Sequence, residues 1–183
     1  MLPHTYMLSQ QDAVYTVHGS SLFLNTYTVS FFGHRVIEDP MRIEHHLEKL
    51  IRKLLMEKEY VEFLVGRDGE FDQIVSSTIC CCKRTVRGDN STHVWVLPYP
   101  TADFRDNENA YREYYDEIEI CEASAGGHFK GAYSTRNREM VNRSNLIVFC
   151  IQHESGGAWQ TIKYAQKLRK AYININDLLE GTE

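Results

Sequence analysis

Leu146-Ile-Val-Phe-Cys-Ile151 is an uninterrupted apolar run. The polar, arginine-bearing stretch Arg136-Asn-Arg-Glu-Met-Val-Asn-Arg-Ser-Asn145 precedes it, and Ser155-Gly-Gly-Ala158 follows. A strand with one wet face alternates apolar and polar residues, whereas a continuous run suits a strand covered on both faces of a parallel sheet. The segment before it reads as a helix over about Tyr133 to Arg143, and the glycine pair opens a second helix from Ala158 to Arg169. Glycine between a buried strand and a helix lets the backbone approach a ligand, and the helix start aims free N–H groups at an anion. This segment therefore predicts a phosphate- or nucleotide-like pocket at the carboxyl edge of a parallel sheet.

The rest of the chain repeats the unit. Thr26 to Phe32 is rich in β-branched and aromatic residues and stops at Gly33-His34-Arg35, a strand and a turn. Asp39-Pro40 makes a helix start, and Ile43, Leu47, Leu50, Ile51, Leu54 and Leu55 recur at helical spacing through Lys58. Val61 to Val65 is a short strand ended by Gly66-Arg67-Asp68-Gly69. A helix from Phe71 to about Arg84 then places Ile74, Val75, Ile79 and Cys82 inward. His93 to Leu97 is a third strand, Thr101 to Asn109 a polar loop, Ala110 to Tyr115 a short helix and Glu117 to Cys121 a fourth strand. Ala123 to Lys130 reads as a flexible connection, and Ala171 to Ile175 as the last strand. Strands alternating with helices give an α/β fold, a doubly wound, mostly parallel sheet flanked by helices. Residues 1–25 read as an N-terminal extension or hairpin, and residues 26–183 as one domain.

Composition bounds the function. The 183 residues are 43% apolar and 25% charged, ordinary for a globular domain. A formal charge of −5 argues against a nucleic-acid partner, which normally meets a basic face. No apolar run reaches the roughly 20 residues that cross a bilayer, and no signal peptide is evident, so the expected location is cytoplasmic, without a membrane. Of the five cysteines, Cys80, Cys81 and Cys82 are adjacent, lack metal-ligand spacing and read as packing residues. No metal or cofactor is expected.

Three glycine-bearing loops follow predicted strands and share one expected edge. These are Gly33-His34-Arg35, Gly66-Arg67-Asp68-Gly69 with Asp72, and Ser155-Gly156-Gly157. Glycine backbones and Arg35 would hold phosphate, Arg136 and Arg138 would add charge, and Asp68 or Asp72 would accept from sugar hydroxyls. Asn137 suits a phosphate or sugar, and Thr161 lies one turn into the last long helix. His34 is an acid–base candidate because imidazole titrates near neutrality, and Asp72 is the other. His128 and His153 flank glycine loops within reach of a ligand, while Tyr111, Tyr114, Tyr115 and Trp159 are candidate stacking surfaces.

Phe32-Gly33-His34-Arg35, Gly66-x-Asp68-Gly69-x-x-Asp72, Arg136-Asn137-Arg138-x-Met140-Val141-x-x-Ser144 and Gly156-Gly157-Ala158 with Thr161 and Tyr164 occur in this order. Together they resemble the YpsA-type branch of the SLOG superfamily over about residues 27–176. The resemblance implies a Rossmann-like fold and a nucleotide-derived small molecule as ligand, held by a sensor. The wider superfamily includes DNA-processing proteins, antiphage sensor domains and LOG-type phosphoribohydrolases. Catalysis of the last kind needs a Pro-Gly-Gly-x-Gly-Thr-x-x-Glu motif. Here Ser155 replaces the proline and Tyr164 stands where the glutamate would fall. Asn145 also stands where the branch often has Asp. The alternatives to a binding protein are an N-glycosidic hydrolase and an interaction module without turnover. Related Rossmann-like proteins often pair, so a homo-oligomer is an open expectation.

Overall fold

The computed structural model describes residues 12–17, 20–125 and 131–180. Among the described residues, strands and helices follow in the order β1 (Asp12–Val17), β2 (Ser20–Gly33), α1 (Pro40–Glu57), β3 (Tyr60–Val65), α2 (Glu70–Thr85), β4 (Ser91–Leu97), α3 (Ala102–Asp106), α4 (Glu108–Tyr114), β5 (Glu117–Ile120), α5 (Glu122–Ala125), α6 (Ala132–Arg143), β6 (Leu146–Cys150), α7 (Gly156–Lys167), β7 (Tyr172–Asn174) and α8 (Ile175–Glu180). Six strands pair in parallel in the order β5-β4-β3-β2-β6-β7. The fold is α/β and Rossmann-like. β1 pairs antiparallel with the first half of β2, from Asp12 opposite Asn25 to Val17 opposite Ser20.

Alternation along the central strands explains their continuous apolar sequence. Val29, Phe31, Phe63, Val65, Trp95, Leu97, Val148 and Cys150 join one core with residues of α1, α2 and α8. Phe32, Leu64, Val94, Val96, Ile147 and Phe149 face the other way, onto Met140 and Val141 of α6 and Ile162 and Ala165 of α7. Both faces of β6 are covered, so every side chain from Leu146 to Cys150 is buried.

Strand order reverses at β2. The chain leaves β2 through α1 to β3 on one side, while β6, reached much later through α6, pairs along its other edge. Polar groups hold that late pairing. Ser30, fully buried in β2, donates to the Met140 carbonyl at 3.2 Å and lies 2.5 Å from the Ser144 hydroxyl. The Thr28 backbone N–H donates to Asn145 Oδ1 at 2.8 Å, and the Asn145 N–H returns a bond to the Thr28 carbonyl at 2.8 Å. Asn145 thus joins α6 to the centre of the sheet.

Several local expectations shift. Thr101 to Asn109 is not a loop: Thr101 Oγ1 accepts from the Phe104 N–H at 3.1 Å and caps α3, which buries Phe104. α7 starts two residues earlier than predicted, at Gly156, and α8 replaces the end of the last predicted strand. α5 occupies the start of the expected flexible connection, and Gly126, Gly127 and His128 lie outside the described residues. The adjacent cysteines divide, with Cys82 buried, Cys80 half-buried and Cys81 exposed. No helix among the described residues is long and apolar enough to cross a membrane.

Burial on two faces makes β6 sensitive to truncation. Phe149→Ala is expected to cost about 3–5 kcal/mol in denaturant unfolding, whereas Met41→Ala, at an 81% exposed site, should stay within about 0.5 kcal/mol. Comparable losses at both positions would contradict the two-layer core.

Candidate functional site

A crevice of about 390 Å³ opens where the strand order reverses, at the carboxyl ends of β2 and β6. This is where open α/β sheets place ligands. Its walls include Gly33, His34 and Arg35 after β2, Gly66, Asp68, Gly69 and Asp72 after β3, Arg136 and Asn137 of α6, and Gly156 and Gly157 opening α7. Tyr133, Ala158, Phe32 and Met140 also line it. Sequence reasoning did not single out these last four as pocket residues. The spacing of Tyr133 and Met140 from Arg136, three and four residues along one helix face, was the available signal.

Three of the expected binding residues are not in the lining. Arg138 is exposed, with its guanidinium 5.3 Å from the Tyr164 ring centre. Ser155 is the N-cap of α7 and makes no side-chain cap bond. Thr161 sits behind Asn137, accepting from its Nδ2 at 3.1 Å and donating to the Gly157 carbonyl at 2.8 Å. The nearby Arg143 is engaged elsewhere, donating through Nη1 to both Glu119 oxygens at 2.8 Å and through Nη2 to Glu62 at 3.0 Å.

Arg136 organises the centre. The residue is 5% exposed; Nη1 donates to the Val96 carbonyl at 2.9 Å and Nη2 pairs with Asp68 at 2.7 Å. Its Nε is buried without a hydrogen-bond partner. Asn137 Oδ1 is also buried and unpartnered. The orientation of that amide follows from its neighbours: the Thr161 hydroxyl spends its proton on Gly157, so it must accept, and the amide nitrogen must face it. Adjacent residues thus leave one donor and one acceptor unsatisfied beside the crevice. Buried groups of this kind are normally paired, so both stand out as exceptions.

The glycines divide by cause. A Cβ on Gly33 would lie 2.4 Å from the Phe71 ring, one on Gly66 2.8 Å from Asp72 Oδ2, and one on Gly69 2.5 Å from the Arg35 Cα. Those three are required by packing. At Gly156 and Gly157 a Cβ would meet nothing within 4 Å. Gly156 has φ of +82°, which favours glycine, and Gly157 faces open space. α7 has no acidic residue in its first turn, so its first N–H groups and positive dipole end are not neutralised locally.

The two acid–base candidates are both engaged. His34 stacks on His153 with ring centres 3.8 Å apart and planes within 1°, and its Nε2 accepts from the His153 N–H at 3.4 Å. Desolvation, then the neighbouring His153, lowers the His34 pKa, keeping the ring neutral. Asp72 Oδ2 accepts from the Asp68 N–H at 2.7 Å and so closes the β3–α2 turn. Although the residue as a whole is only half-buried, loss of hydration at its carboxyl pushes the pKa up to about 6, against bonds from the Asp68 N–H and the Arg136 charge that lower it.

No protein-family model matches this chain, and no curated protein matches it in sequence. Among solved structures, DNA processing protein A from Helicobacter pylori, described for its unique single-stranded DNA binding mode, aligns with a TM-score of 0.54 at 19% identity. The alignment covers 84% of this chain and 72% of that one. DNA processing protein A from Streptococcus pneumoniae gives a TM-score of 0.49 at 12% identity, covering 86% of this chain and 62% of the other. The first likeness establishes a shared Rossmann-like α/β fold. It also corrects the expectation drawn from net charge. A protein of this fold is described for binding single-stranded DNA, so net charge is no ground for disfavouring nucleic acid. Physically, a total of −5 averages the whole surface, whereas binding depends on charge within about a Debye length of the groove. Arg35, on the crevice wall, has no carboxylate in ion-pair range among the described residues.

The raised Asp72 pKa has a defined consequence for stability. The folded state holds this proton more tightly than an unfolded chain titrating near 3.8, so its contribution is complete below that pH and is lost as pH rises through about 6. Asp72→Asn removes the titration. Urea unfolding between those pH values should show wild-type stability falling relative to the variant by up to about 3 kcal/mol. Parallel pH dependences would show that Asp72 titrates normally.

Proposed function

We propose that the crevice binds the phosphate and sugar of a nucleotide presented by a single-stranded nucleic acid, and that it does so without turnover. The observation that carries this reading is the unpartnered Arg136 Nε and Asn137 Oδ1 beside the open Gly156–Gly157 turn. The N-terminus of α7 and Arg35 supply a site for phosphate. Arg136 Nε donates to a phosphate or sugar oxygen, and Asn137 Oδ1 accepts from a sugar hydroxyl. Arg136 brings little net charge, because Asp68 already neutralises it. The helix start and Arg35 therefore carry most of the anion's stabilisation. The fold likeness to a protein described for binding single-stranded DNA favours a strand over a free nucleotide. Placement in the YpsA-type branch and a reducing, cytoplasmic setting, which suits the free thiols of all five cysteines, belong to the same proposal.

Hydrolysis of a nucleotide N-glycosidic bond is the second reading. It is favoured by one observation, a carboxyl in the crevice with a pKa near 6, suited to donate a proton to a departing base. Base release from nucleoside monophosphates, abolished by Asp72→Asn, would establish it.

The binding reading is tested by Gly157→Asp. The new side chain has room and sits in the first turn of α7, where a carboxylate favours the helix by about 0.3–1 kcal/mol. Its charge occupies the phosphate position. Thermal stability should hold or rise slightly, while affinity for thymidine 5′-monophosphate and for a 5′-phosphorylated oligothymidylate, measured by calorimetry, falls about tenfold or more. Unchanged affinity for both would place the phosphate elsewhere.

A further inference from the structure

The crevice continues beyond its own walls. It shares Asp68, Tyr133 and Arg136 with a depression of about 190 Å³ that is also walled by Trp95, Pro98 and Thr101. That depression shares Arg67 with a cleft of about 540 Å³ between α2 and α4, lined by Gln73, Ser76, Tyr111 and Tyr114. Arg67 and Asp68 are consecutive, with Cα atoms about 3.8 Å apart, yet they serve different ends of this path. Asp68 pairs with Arg136 in the crevice, while Arg67 holds its guanidinium 4.7 Å from the Tyr111 ring centre and donates to the Tyr115 hydroxyl at 3.3 Å. The β3–α2 turn is a ridge with a cation on each side.

Arg67 also differs from Arg136 in its partners. Those partners are phenols, and no carboxylate lies within 4.0 Å of it among the described residues. The nearby Asp103 is itself engaged, accepting from the Tyr111 hydroxyl at 2.7 Å and from Asn107 Nδ2 at 3.2 Å. Tyr114, 41% exposed as a residue, stands at the cleft wall with its ring edge-on to Tyr115 at 4.9 Å. A half-buried, unneutralised guanidinium beside a partly exposed tyrosine is the pairing that single-stranded nucleic acid uses, phosphate on the cation and base on the ring.

We propose that this cleft is a second nucleotide subsite. A base stacks on Tyr114, and Arg67 meets the phosphate that links it to the nucleotide in the crevice. The protein then recognises a single strand of at least two nucleotides, bridged over the β3–α2 turn, with little preference for base because every base has a stacking face. The inference rests on occupancy of the crevice by a nucleotide.

The test is calorimetric titration of thymidine 5′-monophosphate and of 5′-phosphorylated oligothymidylates of roughly two to six residues. The wild type should bind the oligomers about tenfold or more tightly than the monophosphate. Tyr114→Ala, whose melting temperature reports separately the loss of the ring's edge contact with Tyr115 at 4.9 Å, and Arg67→Gln should each erase that gain while leaving monophosphate affinity intact. Oligomers that bind no better than the monophosphate, or variants that weaken both equally, would overturn the second subsite. Gly157→Asp separates the two ideas. If it spares oligomer binding while Tyr114→Ala abolishes it, the crevice reading fails and the cleft alone binds. If the wild type binds neither ligand, both readings fall.

Discussion

A guanidinium buried at the centre of the sheet's carboxyl edge constrains everything around it. Arg136 cannot sit there alone, since an uncompensated buried charge is among the costliest features a fold can contain. Carried on α6, it takes hydrogen-bond partners from two other parts of the chain: the Val96 carbonyl at the end of β4 and the Asp68 carboxylate on the β3–α2 turn. This one side chain therefore fixes the helix that returns the chain to β6 against the turn that leaves β3. The crevice lies between those elements. Nε takes no part in either bond and is buried without a partner.

Around this anchor the glycines do two kinds of work. Gly33, Gly66 and Gly69 let Phe71, Asp72 and the Arg35 backbone pack closely, and so bring the turns after β2 and β3 together. Gly156 and Gly157 have no such neighbours. Their side of the crevice is the one where a ligand's atoms can reach backbone N–H groups. Tight packing thus marks one wall of the crevice and open space the other.

Charge illustrates why totals mislead. Acidic residues outnumber basic ones over the whole chain, yet acidic groups at this edge are largely occupied. Asp68 is paired with Arg136, Asp103 accepts from Tyr111 and Asn107, and loss of hydration biases Asp72 toward its neutral form. Arg35 and Arg67 keep guanidiniums free of carboxylates on either side of the β3–α2 turn. The local balance at the carboxyl edge is thus less acidic than the formal charge of −5 suggests.

Much of the architecture was legible from local sequence. The apolar run at Leu146, the Asp39-Pro40 helix start and the glycine-bearing loops report backbone geometry and two-sided burial, which are properties of neighbouring residues. They predicted the parallel sheet, and the fold brings most of the candidate residues together at its carboxyl edge. Other features depend on residues far apart in sequence. Arg136, Arg138 and Arg143 lie within eight positions on one helix, and nothing local separates them. One is buried against Asp68, one lies over Tyr164, and one is clamped by Glu62 and Glu119. Helical geometry spreads them around the axis, and only the packing of α6 on the sheet decides which faces the crevice. The same holds for Arg67, whose place beside Tyr111 and Tyr114 requires α4 to fold back across α2. Backbone form is written in short stretches of sequence, whereas the company a side chain keeps is decided by tertiary packing.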